Sequence, residues 1–158
     1  MNSFYFTKDD FEFMAKALYQ AQLAFEEDEV PVGAVLVSSE GEILAETRNL
    51  ILKLCDPTAH AEILAIREGA KKCGNYRLIG CKLYVTLEPC PMCTYATVLA
   101  RLDEIVFATP DPKTGACKSL YQIASDLRLN HQIKIRWGLY EEEASLLLKK
   151  FFQERRKF

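Results

Sequence analysis

The stretch TLEPCPMC, residues 86–93, places two cysteines three positions apart, each beside a proline and directly after an apolar run. Proline is disfavoured inside strands and helices but is tolerated at the first helical position. Pro89 and Pro91 therefore predict an abrupt junction between a strand and a helix. Cys90 and Cys93 then lie in the first turn of that helix, with Cβ atoms about 5–6 Å apart on one face. Such a pair can hold one metal ion, although a redox dithiol has the same spacing.

Apolar patterns on both sides of this stretch alternate between strands and helices. Because strands separated by helices form right-handed parallel crossovers, and the first two strands form a hairpin, the pattern predicts an α/β fold. We expect a three-layer α/β/α architecture with a five-stranded mixed sheet, in a single domain over residues 1–158. The predicted elements, in order, are a helix from a Thr7–Asp10 capping box to about Phe25, strands 30–38 and 43–48, a helix at 59–72 capped by Thr58, strand 82–87, helix 89–102, strand 104–109, a short helix at 119–127, strand 133–138 and helix 141–156.

The composition is that of an ordinary soluble globular protein, with 49% hydrophobic and 27% charged residues among 158. No apolar run approaches the ~20 residues that cross a bilayer. The N-terminus lacks a basic segment followed by an apolar one, so we expect no secretory signal, no membrane association and a cytoplasmic location. Cysteines in such a chain are rarely paired in disulfides. Four of them are expected to be free thiols: Cys55, Cys73, Cys81 and Cys117.

A second motif, TAHAEI at residues 58–63, precedes the strand that leads into TLEPCPMC. His60 together with Cys90 and Cys93 would give zinc three ligands and leave a fourth position open, as in catalytic zinc sites. Residues two positions apart do not share a helix face. His60 and Glu62 can therefore enter one site only if His60 stands at the very start of the helix, before regular geometry begins.

The combination of H-x-E with P-C-x-x-C is the signature of zinc-dependent nucleobase deaminases. With these motifs in place, the chain resembles bacterial tRNA-specific adenosine deaminases of the cytidine and deoxycytidylate deaminase superfamily. The resemblance implies a cytidine-deaminase-like fold, a homodimer with one Zn²⁺ per subunit, and hydrolysis of adenosine to inosine at the wobble position of an arginine tRNA, presented on its anticodon stem-loop. The segments that carry it are EVPVGAVLV (29–37), DPTAHAEILAIREGA (56–70), NYRLIGCKLYVTLEPCPMC (75–93), VFATPDPKTGACKSL (106–120) and FFQERR (151–156).

The resemblance also implies roles for individual residues. His60, Cys90 and Cys93 would bind zinc. Glu62 would take a proton from the attacking water, deliver it to ring N1 and protonate the departing amine. The substrate-binding candidates are Asn49, Ala61, Asp111, Lys113 and Asn130. The candidate RNA contacts, in the closing aromatic and basic segment, are Phe152, Arg155 and Arg156.

Several of these candidate residues could instead have a purely structural role, in the core or on the solvated surface. The formal net charge is −2, but residues 149–158 carry five basic residues against one glutamate. Such a cluster is typical of RNA contact and equally of a solvated helix end. Phe151 and Phe152 could continue the apolar core stripe of the last helix, and Lys113 could belong to a solvated loop.

Two other functions share the same motifs. A deaminase of a free base or nucleoside, such as guanine or cytosine, would not need the basic tail. A catalytically silent, zinc-containing RNA-binding subunit would not need Glu62 or an open zinc position. A thiol oxidoreductase is disfavoured because His60 accompanies the cysteines. Residues 94–97, TYAT, stand where the family usually has small residues, and their bulk would alter either the dimer packing or the pocket floor.

Overall fold

The computed structural model describes residues 4–155. Its helices and strands follow the predicted order. They are α1 (Lys8–Glu26), β1 (Gly33–Val37), β2 (Ile43–Arg48), α2 (Ala61–Cys73), β3 (Lys82–Leu87), α3 (Pro91–Leu99), β4 (Glu104–Thr109), β5 (Lys134–Trp137) and α4 (Glu141–Arg155).

The five strands form one mixed sheet in the order β2-β1-β3-β4-β5. Strand β1 is antiparallel to both β2 and β3, so that Ala34 pairs with Thr47 on one side and with Val85 on the other. Strands β3, β4 and β5 are parallel to one another. The predicted five-stranded mixed sheet is therefore confirmed.

Helices cover both faces of this sheet. Met14 of α1 and Ala144 of α4 pack with Val35 and Tyr84 on one face. On the other face, α2 and α3 complete a larger core through the buried residues Ala61, Ala65 and Val98, which pack with Leu36, Leu83, Val85, Ile105 and Phe107. Alternate strand residues thus face opposite layers, which confirms the three-layer α/β/α architecture.

The predicted N-terminal cap is observed for α1 but not for α2. Thr7 and Asp10 form the predicted capping box, with the Thr7 N–H donating to Asp10 and the Asp10 N–H donating to Thr7. The prediction that Thr58 caps α2 is wrong. The Thr58 N–H and hydroxyl both donate to the Asp56 carboxylate, and the N-cap residue is His60.

The predicted short helix at 119–127 is also wrong, since only a 3₁₀ turn at Ile123–Ser125 forms there. The backbone of this segment is engaged elsewhere. The N–H groups of Leu120 and Tyr121 both donate to the Gly115 carbonyl, and that of Ile123 donates to the Ala116 carbonyl. These bonds fold the segment back onto its preceding loop, so it does not wind into a regular helix.

A buried charged cluster ties α1 to the sheet. The Arg136 guanidinium on β5 donates to Asp10 at 2.8 Å and to Glu104 at 2.8 Å. The Tyr84 hydroxyl donates to Asp10 at 2.6 Å. Burial alone would raise the pKa of Asp10, but hydrogen bonds from Arg136 and Tyr84 outweigh it and hold that pKa well below its usual range.

None of the six cysteines is in a disulfide, and the four outside the CPMC motif are free thiols, as predicted. Within residues 4–155, no helix combines the length and the apolar character needed to cross a membrane.

Candidate active site and metal centre

His60 is the N-cap of α2, with extended backbone angles of φ −72° and ψ 149°. It therefore precedes the helical geometry, while Glu62 is already in the first turn. This position removes the difficulty that residues two apart point to different helix faces. Both side chains line the same small cavity.

Cys90 and Cys93 reach the cavity from the junction between β3 and α3. Strand β3 ends at Leu87, Cys90 is the N-cap of α3, and Pro91 occupies the beginning of the helix. Proline fits there because the first helical N–H has no partner within the helix. The predicted abrupt strand-to-helix junction is confirmed.

Three side chains form a group suited to a metal ion. His60 Nδ1 lies 3.3 Å from Cys93 Sγ and 3.8 Å from Cys90 Sγ. Zinc bonds of about 2.0–2.3 Å to nitrogen and sulfur give tetrahedral edges of about 3.4–3.8 Å, close to these separations. Among residues 4–155, this is the one group of three or more potential ligands that lie within 4.8 Å of one another. Two thiolates and one imidazole favour zinc, and they leave one position of a tetrahedron open.

The charges of the site suit its chemistry. Hydrogen bonds from Cys93 and His60 lower the pKa of the Cys90 thiol to about 4, so that a thiolate is present at neutral pH. Burial raises the pKa of the Glu62 carboxyl to about 7. A bound cation would lower this pKa and so favour the carboxylate form, which accepts a proton from water.

The cavity at this centre has a volume of about 190 Å³ and is lined by residues from several loops. Asn49, which follows β2, is buried, and its Oδ1 accepts the Ala61 N–H at 2.8 Å. That bond holds the beginning of α2, next to His60. It also engages the Ala61 N–H, so this group is not free to bind a ligand. The residues lining the cavity are Val30, Val32, Asn49, Ile51, His60, Glu62, Leu87, Glu88, Cys90, Asp111 and Thr114.

A larger groove of about 740 Å³ adjoins the cavity and shares four of its lining residues: Val30, Leu87, Asp111 and Thr114. Its other lining residues include Lys113 from the loop after β4, and Lys149 and Phe152 from α4. The two phenylalanines of α4 differ. Phe151 is 7% exposed and packs edge-on against Phe25, whereas Phe152 is 45% exposed. Phe151 therefore belongs to the core, and Phe152 is available at the groove.

Other candidates lie away from this site. Asn130 accepts hydrogen bonds from Arg101 near the amino-terminal ends of β4 and β5, the opposite edge of the sheet from the cavity. The assignment of Asn130 to substrate binding is thus not supported by its position. Arg155 pairs with Asp28 at 2.8 Å and stacks over Phe151. Arg156 lies outside the described residues.

The bulky segment after CPMC does not reach the cavity. Thr94 is buried and its hydroxyl donates to the Pro89 carbonyl. Tyr95 points outward and is exposed, together with Met92 and Leu99 of the same helix. The sequence predicted that this segment alters either the dimer packing or the pocket floor. The structure agrees only with an effect on the outer surface of the protein, since the segment does not reach the cavity.

Two buried glutamates were missed by the sequence reasoning. Glu29 and Glu88 are each 2% exposed, and each accepts backbone N–H groups from a loop that lines the cavity. The sequence does contain an indication that these glutamates are buried. Each lies next to an apolar strand segment and has no basic residue beside it.

Residues 7–109 match the cytidine and deoxycytidylate deaminase zinc-binding region. The chain is 48% identical over 145 residues to the tRNA-specific adenosine deaminase of Aquifex aeolicus (strain VF5), covering 91% of this chain and 94% of that protein. It is 43% identical, with a TM-score of 0.83, to a solved structure from studies of A-to-I editing by tRNA:A34 deaminases at the wobble position of transfer RNA, covering 87% of this chain and 99% of that one. The guanine deaminase of Bacillus subtilis is more distant, with 31% identity, a TM-score of 0.61 and 93% of each chain covered.

These similarities agree with the sheet order, the three-layer architecture and the ligand group. The cytidine-deaminase-like fold predicted from the sequence is confirmed, as is a zinc cofactor with one ion per subunit. The chain belongs to the cytidine and deoxycytidylate deaminase family of zinc-dependent enzymes.

Proposed function

We propose that the protein hydrolyses adenosine to inosine at the wobble position of a tRNA anticodon loop, with an arginine tRNA as its substrate. The observation that carries the proposal is the continuity of the small cavity with the larger groove. The cavity suits a single base, and the groove offers lysine and aromatic side chains to the nucleotides beside it. Aromatic and basic side chains of this kind bind unstacked bases and phosphates. The high identity to a tRNA-specific adenosine deaminase supports the same substrate.

The chemistry is assigned to the residues around the cavity. His60, Cys90 and Cys93 hold zinc, which when bound activates water as a nucleophile near neutral pH. Glu62 accepts a proton from that water and transfers it to N1 of the adenine ring. The carboxylate then takes the second proton of the added water from the hydroxyl now on C6 and passes it to the exocyclic amine, which leaves as ammonia while the oxygen stays on C6. Water and adenosine are thus converted to inosine and ammonia.

Substrate positioning is assigned to the cavity walls. The side-chain oxygen of Asn49 accepts the Ala61 N–H, but its NH₂ group has no hydrogen-bond partner among residues 4–155, so it can donate to the nucleoside. Asp111 stands where the cavity meets the groove, and Lys113 and Phe152 line the groove. Arg155 must leave its exposed ion pair with Asp28 to contact RNA, a change of small cost for a surface pair.

We further infer that the whole chain, 1–158, acts as one deaminase domain in the cytoplasm and as a homodimer. The exposed Met92, Tyr95 and Leu99 form an apolar strip along α3 that a second copy would cover. Contiguous exposed apolar surface marks sites of protein–protein contact.

The experiment that tests the substrate is a deamination assay on the zinc-loaded protein. An arginine-tRNA anticodon stem-loop is offered in parallel with free adenosine, cytidine, guanine and cytosine. We expect inosine at the wobble position and no ammonia from the small molecules. Ammonia from guanine with the stem-loop unchanged would instead favour a free-base deaminase, which the small cavity and the similarity to a guanine deaminase make the second candidate. Binding of the stem-loop without turnover would favour the silent RNA-binding subunit, against which the buried Glu62 counts.

A further inference from the structure

Glu88 lies between the last residue of β3 and Pro89, and its buried carboxylate collects hydrogen bonds from one loop. Oε1 accepts the Asp111 N–H at 2.9 Å and the Ser119 hydroxyl. Oε2 accepts the N–H groups of Cys117, Lys118 and Ser119 at 3.1, 2.8 and 3.0 Å. Five donors therefore converge on two oxygen atoms.

The segment that supplies these donors, residues 110–119, is here called the wall loop. It contains no helix or strand. Its first turn is held by Asp111, whose side chain accepts the Lys113 N–H at 3.0 Å and the Thr114 hydroxyl at 2.8 Å. Asp111 and Thr114 line both the cavity and the groove. Glu88 thus holds both ends of the loop that forms this side of the site.

The wall loop approaches Glu88 so closely that one position has no room for a side chain. A Cβ atom on Gly115 would overlap the carboxyl group of Glu88 and the backbone carbonyl of Asp111. The contact therefore depends on two residues 27 positions apart in the chain, the carboxylate at 88 and the absence of a side chain at 115.

A direct chemical role for Glu88 is less consistent with these contacts. A carboxylate offers about four lone-pair sites, and five donors already occupy them. No acceptor capacity is left for a substrate or for proton transfer. The groups that Glu88 orders, in contrast, face the site directly.

We propose that Glu88 is a positioning residue that fixes the wall loop against the site, so that Asp111 and Thr114 are set in place before the nucleotide substrate arrives. The kinetic part of this inference rests on the proposed function, and the structural part does not. Preorganised loops contribute to binding because the ordering cost is met before the ligand binds. Loss of this anchor should weaken substrate binding more than it slows the chemical step.

The structural part is tested by hydrogen exchange on the zinc-loaded protein, comparing wild type with Glu88→Gln. The Gln side chain keeps the shape but replaces one acceptor oxygen with an NH₂ group that opposes the backbone donors. We expect the N–H groups of Asp111, Cys117, Lys118 and Ser119 to exchange about tenfold faster or more, as the loss of charged hydrogen bonds predicts.

The matched control is Glu29→Gln. Glu29 is equally buried and accepts the N–H groups of Leu52 and Lys53 from a different loop of the cavity. This variant should speed exchange at positions 52 and 53 and leave the wall loop unchanged. Unchanged exchange of the wall loop in Glu88→Gln, or equal acceleration of it in Glu29→Gln, would overturn the inference.

Two further variants keep the test decisive if Glu88→Gln does not fold. Gly115→Ala pushes the wall loop away while the carboxylate remains, and Ser119→Ala removes a single donor. Both should speed exchange in the wall loop, with the smaller effect in Ser119→Ala. If the Ser119→Ala variant folds and the exchange of its wall loop equals that of wild type, the anchor is refuted.

The kinetic part uses the stem-loop substrate. In Glu88→Gln, KM should rise about tenfold while kcat stays within about threefold and zinc content stays at one ion per chain. Loss of zinc, or loss of kcat with KM unchanged, would assign Glu88 to the metal centre instead. If no substrate is turned over even by wild type, the proposed function fails while the exchange result still decides the structural part.

Discussion

The imidazole Nδ1 of His60 lies 3.3 Å from the Sγ of Cys93, although the two residues belong to different helices and are 33 positions apart. Each stands at a helix beginning, His60 as the N-cap of α2 and Cys93 in the first turn of α3. The positive ends of two helix dipoles therefore meet at this point and stabilise the negative charge of the Cys90 thiolate. The metal centre is built from helix N-termini at the carboxyl edge of the sheet.

Removal of a cysteine ligand should abolish zinc binding. We expect Cys90→Ala to be purified with little zinc, because two remaining ligands cannot hold the ion firmly. Metal content measured by mass spectrometry checks this. The matched control is Cys73→Ala, which removes an exposed thiol outside the metal centre and should retain one zinc per chain. Full zinc occupancy in Cys90→Ala would refute the ligand assignment.

Glu62→Gln should keep zinc and lose activity. The amide fills the same buried space but cannot carry a proton, so turnover should fall about 10³-fold, within the range attributed to general acid–base catalysis. Single-turnover inosine formation is the measurement. Glu68→Gln, an exposed position on the same helix, serves as control and should turn over at the wild-type rate. A Glu62→Gln variant as active as wild type would exclude this carboxyl as the proton carrier.

Asn49→Ala should destabilise the beginning of α2. The buried Ala61 N–H loses its acceptor, which costs about 1–3 kcal/mol in the free energy of unfolding. Urea denaturation of the zinc-loaded protein measures the difference. Asn75 makes a comparable bond to the Arg77 N–H at the surface, so Asn75→Ala should cost much less. Equal losses in the two variants would contradict the anchoring role of Asn49.

The contribution of Asp10 to stability should depend on pH. Its folded-state pKa is depressed by Arg136 and Tyr84, so the stabilisation is complete above the unfolded-state pKa of about 3.9 and is lost as pH falls below it. Urea denaturation should show Asp10→Asn less stable than wild type by about 2 kcal/mol at pH 7, and this gap should narrow below about pH 4. Asp9→Asn, at the exposed neighbouring position, is the control. A gap that stays constant down to pH 3 would contradict the ion-pair explanation.

Charge on the apolar strip of α3 should separate the proposed dimer. Tyr95→Glu places a carboxylate in a surface that a second copy would bury, and an unpaired buried charge is strongly unfavourable. Sedimentation velocity should show two chains for wild type and one for the variant. Tyr19→Glu changes an exposed tyrosine on α1, across the sheet, and should leave the dimer intact. A monomeric wild type would refute the proposed assembly itself.

The order of helices and strands was predictable because it depends on local properties. Apolar periodicity placed the strands, and the Thr7–Asp10 capping box marked the start of α1. The prolines beside the cysteines marked the junction at α3. The prediction failed at 119–127, where contacts with other parts of the chain decide the backbone conformation. The segment 119–127 has helical composition, but the N–H of its first residue, Ser119, donates to Glu88, 31 positions earlier. The N–H groups that follow donate to the carbonyls of Gly115 and Ala116.

The sequence by itself determined which residue types carry the chemistry of this protein. The motifs H-A-E and P-C-P-M-C identify zinc ligands and a proton carrier by residue type and spacing. Only the tertiary structure decided which side chains meet. His60 is the N-cap of α2, so its side chain and that of Glu62 can enter one site. Phe151 is buried whereas Phe152 is exposed. Asn130 lies away from the site, and Glu88 binds the wall loop. The physical reason is that periodicity and propensity act over a few residues, whereas burial and long-range hydrogen bonds depend on how the layers pack.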